Sequence, residues 1–167
     1  LNISEDIYFD IIRQKTATLI ASCCAVGAAS AEADQERIEL AKSFGEKVGM
    51  AFQIKDDLFD YGSDDIGKPR GIDIKEKKLT LPLIHTLSKL DWSGRRRIIN
   101  LIKNHSFDSK KVQEVIDTVK ISGGIEYARK VMYSFKDEAM DLLQKFPESE
   151  SRDSIQSLVN YTIERKK

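Results

Sequence analysis

The chain has 167 residues, enough for one compact domain with its own apolar core. Charged residues make up 32% and hydrophobic ones 41%, and with a mean hydropathy of -0.38 this describes a water-soluble, ordered protein. Lys plus Arg equals Asp plus Glu at 27 each, so no global field favours nucleic acid or an anionic membrane, and charge-based function must come from local clusters.

Apolar positions recur at three and four along the chain and no segment sustains alternation, which predicts an all-α fold. A first helix is expected over 4–29, with Ser4 as N-cap and Glu5 and Asp6 in the first turn, where the helix dipole favours acids. The uncharged stretch 16–31 is too short to span a bilayer and holds Thr16, Thr18, Ser22 and Ser30, so it reads as a core helix and not a signal peptide or transmembrane segment. Within it, Cys23 and Cys24 read as buried, reduced packing thiols, which points to a cytoplasmic setting. The small residues Ala17, Ala21, Cys24, Ala25 and Ala28 offer a surface for close helix contact. Entry into an amphipathic pattern directly from Leu1 is expected of a piece with N-terminal sequence missing.

A second long helix is predicted over 33–61, with Ile38, Ala41, Phe44, Val48, Phe52 and Phe59 as its buried stripe. Residues 62–79 hold Gly62, Gly67, Pro69 and Gly71 among charges, a loop too long to be a mere connection. Further helices follow over 81–90, with Pro82 in the first turn, then 93–103, 108–122, 124–145 and 151–165. Arg95, Arg96 and Arg97 read as a solvated face and not a nucleic-acid patch. His85 and His105 read as ordinary surface or helix-end histidines.

The chemistry is concentrated late in the second helix. Asp56, Asp57 and Asp60 crowd one helical face, with Gln53 one turn before them. Like charges at that spacing repel, and acids at a helix C-terminus oppose its dipole, so the cluster works against stability twice. A bound cation would offset that cost. Carboxylates with no His or Cys nearby suit Mg²⁺, which takes one or two carboxylates and fills its other positions with water and substrate phosphate. The following loop supplies Lys68, Arg70, Lys75, Lys77 and Lys78, cations that could reach the same anion and, among glycines, close over it.

The run from Gly49 through Phe52-Gln53-Ile54-Lys55-Asp56-Asp57-Leu58-Phe59-Asp60 to Tyr61, then Gly67-Lys68 and Asp73-Ile74 to Lys78-Leu79-Thr80-Leu81-Pro82, resembles the second aspartate-rich region of trans-type isoprenyl diphosphate synthases. Lys15-Thr16-Ala17 after Tyr8 resembles the family's Lys-Thr helix, and Tyr161-Thr162-Ile163-Glu164-Arg165 resembles its basic ending. The resemblance implies an isoprenoid synthase-like helical bundle of which residues 1–167 are the C-terminal portion. It also implies a Mg²⁺-dependent prenyltransferase joining isopentenyl diphosphate head-to-tail to an allylic diphosphate. Asp56 would be a direct metal ligand, with Asp57 and Asp60 ligating or ordering its waters. Lys15, Lys68 and Lys78 would hold diphosphate oxygens, and Thr16 and Gln53 would present oxygens to the allylic cation. A homodimer and a membrane-associated product are expected, and the run Lys78 to Ile84 looks more like the medium- and long-chain, octaprenyl-type enzymes.

Two departures matter. Lys77 stands where the family commonly has a small residue, leaving open whether Lys77 or Lys78 contacts diphosphate, and the family's first aspartate-rich motif with its arginine is not in this chain. The rival readings are a non-catalytic partner subunit and a terpene cyclase; intact acids disfavour the first, and the Gln53–Asp56 spacing with Lys68 disfavours the second. Without ligand, 63–77 is expected to be the least ordered internal segment, and Ile7, Ile11, Val48 and Phe52 to lie in exposed apolar faces.

Overall fold

A computed structural model describes residues 4–62 and 71–165. Among the described residues the regular structure is entirely helical, as periodicity predicted: α1 (Glu5–Ile12), a π-helical turn (Arg13–Ala17), α2 (Thr18–Ser30), α3 (Gln35–Phe59), α4 (Ile72–Lys75), α5 (Leu81–Lys89), α6 (Trp92–Asn104), α7 (Ser109–Ile121), α8 (Gly124–Leu143) and α9 (Glu150–Glu164). No described helix is long and apolar enough to cross a membrane.

The chain forms two compact units. One takes the chain up to Tyr8 with Asp56–Lys130, and the other takes Phe9–Lys55 with the chain from Val131 onward. In the first, α5, α6 and α7 pack on one another through Leu83, Leu87, Ile98, Leu101, Ile102, Val115, Ile116 and Val119, all buried. Asp91 caps α6 by accepting from the Gly94 amide at 2.8 Å, and Asp108 caps α7 by accepting from the Lys110 amide at 2.9 Å, so both helices begin where an acid meets otherwise unpaired N–H groups. The start of α8 lies hard against α5, since a methyl group on Gly124 would come within 2.4 Å of the Pro82 carbonyl oxygen.

In the second unit, α3 meets the π turn and α2 at very short range. A methyl group on Gly49 would lie 2.5 Å from Ala17 Cα, and one on Gly45 2.9 Å from Ala21 Cα. The small-residue run therefore makes the close contact expected of it at Ala17 and Ala21. Phe9 meets Phe135 edge-on at 5.8 Å, and Lys47 bonds Glu138 at 2.6 Å, so Phe9 and α3 pack on the part of α8 that belongs to this unit.

Several expectations are corrected. The first helix is not uniform, because the π turn interrupts it at Lys15 and Thr16. Residues 71–79 are not simply loop, since α4 lies within them; 63–70, which hold Lys68 and most of the segment expected to be least ordered, lie outside the described residues. Cys23 is exposed and Cys24 half-buried, both free thiols. At 3.6 residues per turn Cys23 stands roughly 200° round the helix from the buried Ala21, so a uniformly apolar run still has a wet side. On α3, Ala41 and Phe44 are buried as expected, whereas Ile38, Val48, Phe52 and Phe59 are only half-buried. The approach at Gly45 and Gly49 turns that face inward, and Met50, Ala51, Gln53 and Ile54 are buried in their place. Ile7 and Ile11 are exposed as expected, at 48% and 47%.

Candidate active site

Within the first unit the last turn of α3 and the residue that follows it deliver three carboxylates to different environments. Asp56 is half-buried, whereas Asp57 and Asp60 are 7% and 2% exposed. The Tyr8 hydroxyl donates to Asp57 Oδ2 at 2.8 Å. Asp60 Oδ1 accepts from the Ile72 amide at 2.8 Å, and the Asp60 carbonyl accepts from the Gly71 amide at 3.3 Å. Both bonds join the end of α3 to the start of α4. Gly71 takes φ 70°, a left-handed conformation that favours glycine, and lies against Val112 where a methyl group would come within 2.4 Å, so α4 begins at a fixed place on α7.

A fourth carboxylate belongs to this neighbourhood and was not singled out in the sequence. Asp73 is 8% exposed and accepts from Lys78 Nζ at 3.3 Å. Its position in the Asp73-Ile74 to Lys78 run was the available signal. Lys78 also pairs with Glu76, and this hydrogen bond raises its pKa, opposed by partial burial and reinforced by Asp73. Lys77 is exposed with φ 59°, a backbone conformation uncommon for a residue with a side chain. Tyr61 is fully buried and its hydroxyl shares a hydrogen bond with Thr80 at 2.6 Å. Burial pushes the Tyr8 and Tyr61 phenols far above their ordinary range, opposed in Tyr61 by its hydrogen bond with Thr80 and reinforced in both by the negative charge of Asp57 and Asp73, so both stay protonated.

Within the second unit the residues carried by the Lys-Thr resemblance also come together. Thr16 Oγ1 donates to Gln53 Oε1 at 2.8 Å. The bond follows from packing: Thr16 precedes Ala17, which touches Gly49, and Gln53 is one turn beyond Gly49 on α3. Lys15 is exposed on the π turn, a distortion found often at functional sites. α3 is continuous, so Gln53 and Asp56 are three residues apart on one helix.

Among the described residues, no three His, Cys, Asp or Glu side chains converge closely enough to cage a metal. The donors at the end of α3 are carboxylate oxygens, the donor chemistry of an ion such as Mg²⁺ that keeps water and substrate phosphate in its shell. The residues present fit that ion.

A family model described as polyprenyl synthetase matches residues 1–119. A short chain isoprenyl diphosphate synthase from Methanothermobacter thermautotrophicus is 34% identical over 167 residues, covering 99% of this chain and 51% of that protein. A decaprenyl diphosphate synthase structure from Rhodobacter capsulatus superposes with a TM-score of 0.91 at 32% identity, over 99% of this chain and 51% of the other. A polyprenyl synthase from Caulobacter crescentus, complexed with calcium and isoprenyl diphosphate, does so with a TM-score of 0.87 at 28% identity, again over 99% of this chain and 51% of the other. The chain thus spans about half the length of the relatives it matches. A carboxylate-bearing helix end, a Lys-Thr turn bonded to a glutamine, an all-helical fold and a matching family model agree: the chain belongs to the polyprenyl synthetase family.

Proposed function

We propose that the complete protein is a Mg²⁺-dependent prenyltransferase that joins isopentenyl diphosphate head-to-tail to an allylic diphosphate. The observation that carries it is the set of acids at the C-terminal end of α3, two of them buried, where repulsion and the helix dipole both act against folding. Asp56, with Asp57 beside it, would hold Mg²⁺, whose chemistry when bound is to neutralise the diphosphate charge that grows as the C–O bond breaks. Lys15, Lys68 and either Lys77 or Lys78 would bind diphosphate oxygens. Thr16 spends its proton on Gln53, so the two groups offer oxygen lone pairs to positive charge developing on the allylic carbon, held in place before the reaction begins. The diphosphate would accept the proton released after isopentenyl attack.

The calcium and isoprenyl diphosphate in the C. crescentus relative support a divalent ion with this substrate class. The wider reading is a cytoplasmic homodimer making a medium- or long-chain product that associates with membranes; the exposed apolar Ile11, Leu19 and Val26 support self-association. The test is to assay the complete protein, and separately the 167-residue chain, with allylic and isopentenyl diphosphates plus Mg²⁺. Turnover is expected only from the complete protein. Its absence there would overturn the reading, and turnover by the chain alone would show that this aspartate cluster suffices.

A further inference from the structure

We infer that Tyr8 is a positioning residue for the metal site: its phenol fixes Asp57 so that the carboxylate meets Mg²⁺ without rearranging. This rests on the function proposed above. Tyr8 and Asp57 are 49 residues apart in sequence and both belong to the first unit, so their 2.8 Å bond is a tertiary contact that helix periodicity does not dictate. Both side chains are buried, at 4% and 7% exposure, where water competes weakly for the bond.

The donor's chemistry matters as much as its position. A lysine or arginine at the position of Tyr8 would orient Asp57 and also bring a positive charge against it, whereas a phenol orients the carboxylate without adding charge. Ligating carboxylates are generally hydrogen-bonded from behind, and loss of such a partner typically weakens metal affinity about 10- to 100-fold.

Tyr8→Phe removes only the hydroxyl and keeps the ring. In the complete protein, Mg²⁺ binding in the presence of inorganic diphosphate would be titrated calorimetrically for parent and variant, beside thermal melts and initial rates across Mg²⁺ concentration. The expected result is Mg²⁺ affinity weakened on the order of tenfold, with most of the rate recovered at high Mg²⁺. Unchanged Mg²⁺ affinity would overturn the inference. A drop in melting temperature with unchanged affinity would do the same, since it would leave the bond a purely structural role. Asp57→Asn gives a second measure if Tyr8→Phe folds poorly, because the residue at 57 can still accept from Tyr8 but carries no charge. Asp57→Asn should weaken Mg²⁺ affinity at least as much as Tyr8→Phe, and Tyr8→Phe added to it should cause little further loss; undiminished affinity in Asp57→Asn would sink the idea. Weakened binding in Tyr8→Phe from a protein that transfers no prenyl group would keep this inference and discard the proposed reaction, whereas a parent that binds no Mg²⁺ with diphosphate would discard both.

Discussion

Two stretches of the first unit follow opposite rules. The pair α6 and α7 obeys amphipathic patterning: apart from Trp92 and Ile121 at the helix ends, the large apolar side chains lie on the inner face, an acid caps each helix, and charges stay outside, as in the Arg97–Glu114 pair at 2.5 Å. The stretch from Asp56 to Thr80 buries Asp57, Asp60, Tyr61, Asp73 and Thr80. Burying carboxylates costs free energy unless hydrogen bonds or cations compensate, so the second stretch depends on polar partners such as Tyr8, the Ile72 amide and Lys78, where the first depends on apolar packing. The contrast separates buried acids from ordinary ones better than the acid count does, because Asp91 and Asp108 are caps.

The comparison breaks most readily on its stable side. Ile116→Ala in the core of α7 should lower stability by about 2–5 kcal/mol through lost burial and a cavity, leaving diphosphate affinity of the folded fraction unchanged. Denaturant titration beside a diphosphate-binding assay would check it, and a binding defect without a stability loss would contradict the division. On the functional side, Asp56→Ala should reduce turnover of the complete protein on the order of a hundredfold or more, about 2.7 kcal/mol in the barrier. Its stability should change little, because Asp56 is half-buried and its loss relieves repulsion. A variant as active as its parent would remove Asp56 from the site.

Asp60 sharpens the boundary between the two rules. Asp60→Ala strands the Ile72 amide and should cost roughly 1–3 kcal/mol, whereas Asp60→Asn keeps an acceptor for that amide and should recover most of it. Activity retained in Asp60→Asn would make Asp60 chiefly a staple for α4, and activity lost with stability intact would return it to the metal-binding set.

The smallest expected effect is at His85, which stacks on Tyr127 at 4.0 Å. Burial lowers its pKa, helped by Lys89 and opposed by Glu5. The unfolded chain therefore binds a proton near pH 6.5 more readily than the folded one, and stability should fall as pH drops through that value. His85→Gln should flatten the melting temperature between pH 7.5 and 5.5 slightly; an unchanged slope would remove His85 as a contributor. The neighbouring Tyr127 phenol, pushed up to about 12 by burial and its bond to Glu5, does not titrate in that window.

Helix positions and the carboxylate cluster were legible in the sequence because they depend on local spacing, and the Lys-Thr motif and the family were legible through resemblance. Residues three and four apart share a helix face whatever the rest of the chain does, and Ser4, Asp108 and Gly124 mark helix starts through backbone groups next to them. Tertiary structure alone decided how the acids differ. Asp56, Asp57 and Asp60 are alike in spacing and charge, yet Asp57 is held by a tyrosine 49 residues away, Asp60 holds the start of α4, and Asp73 joins them from further along the chain. Only tertiary structure shows Gly49 lying against Ala17, the contact that brings Thr16 to Gln53. Such pairings depend on which surfaces meet when the chain packs, and hydrophobic periodicity specifies that a helix has an inner face without specifying which neighbour covers it.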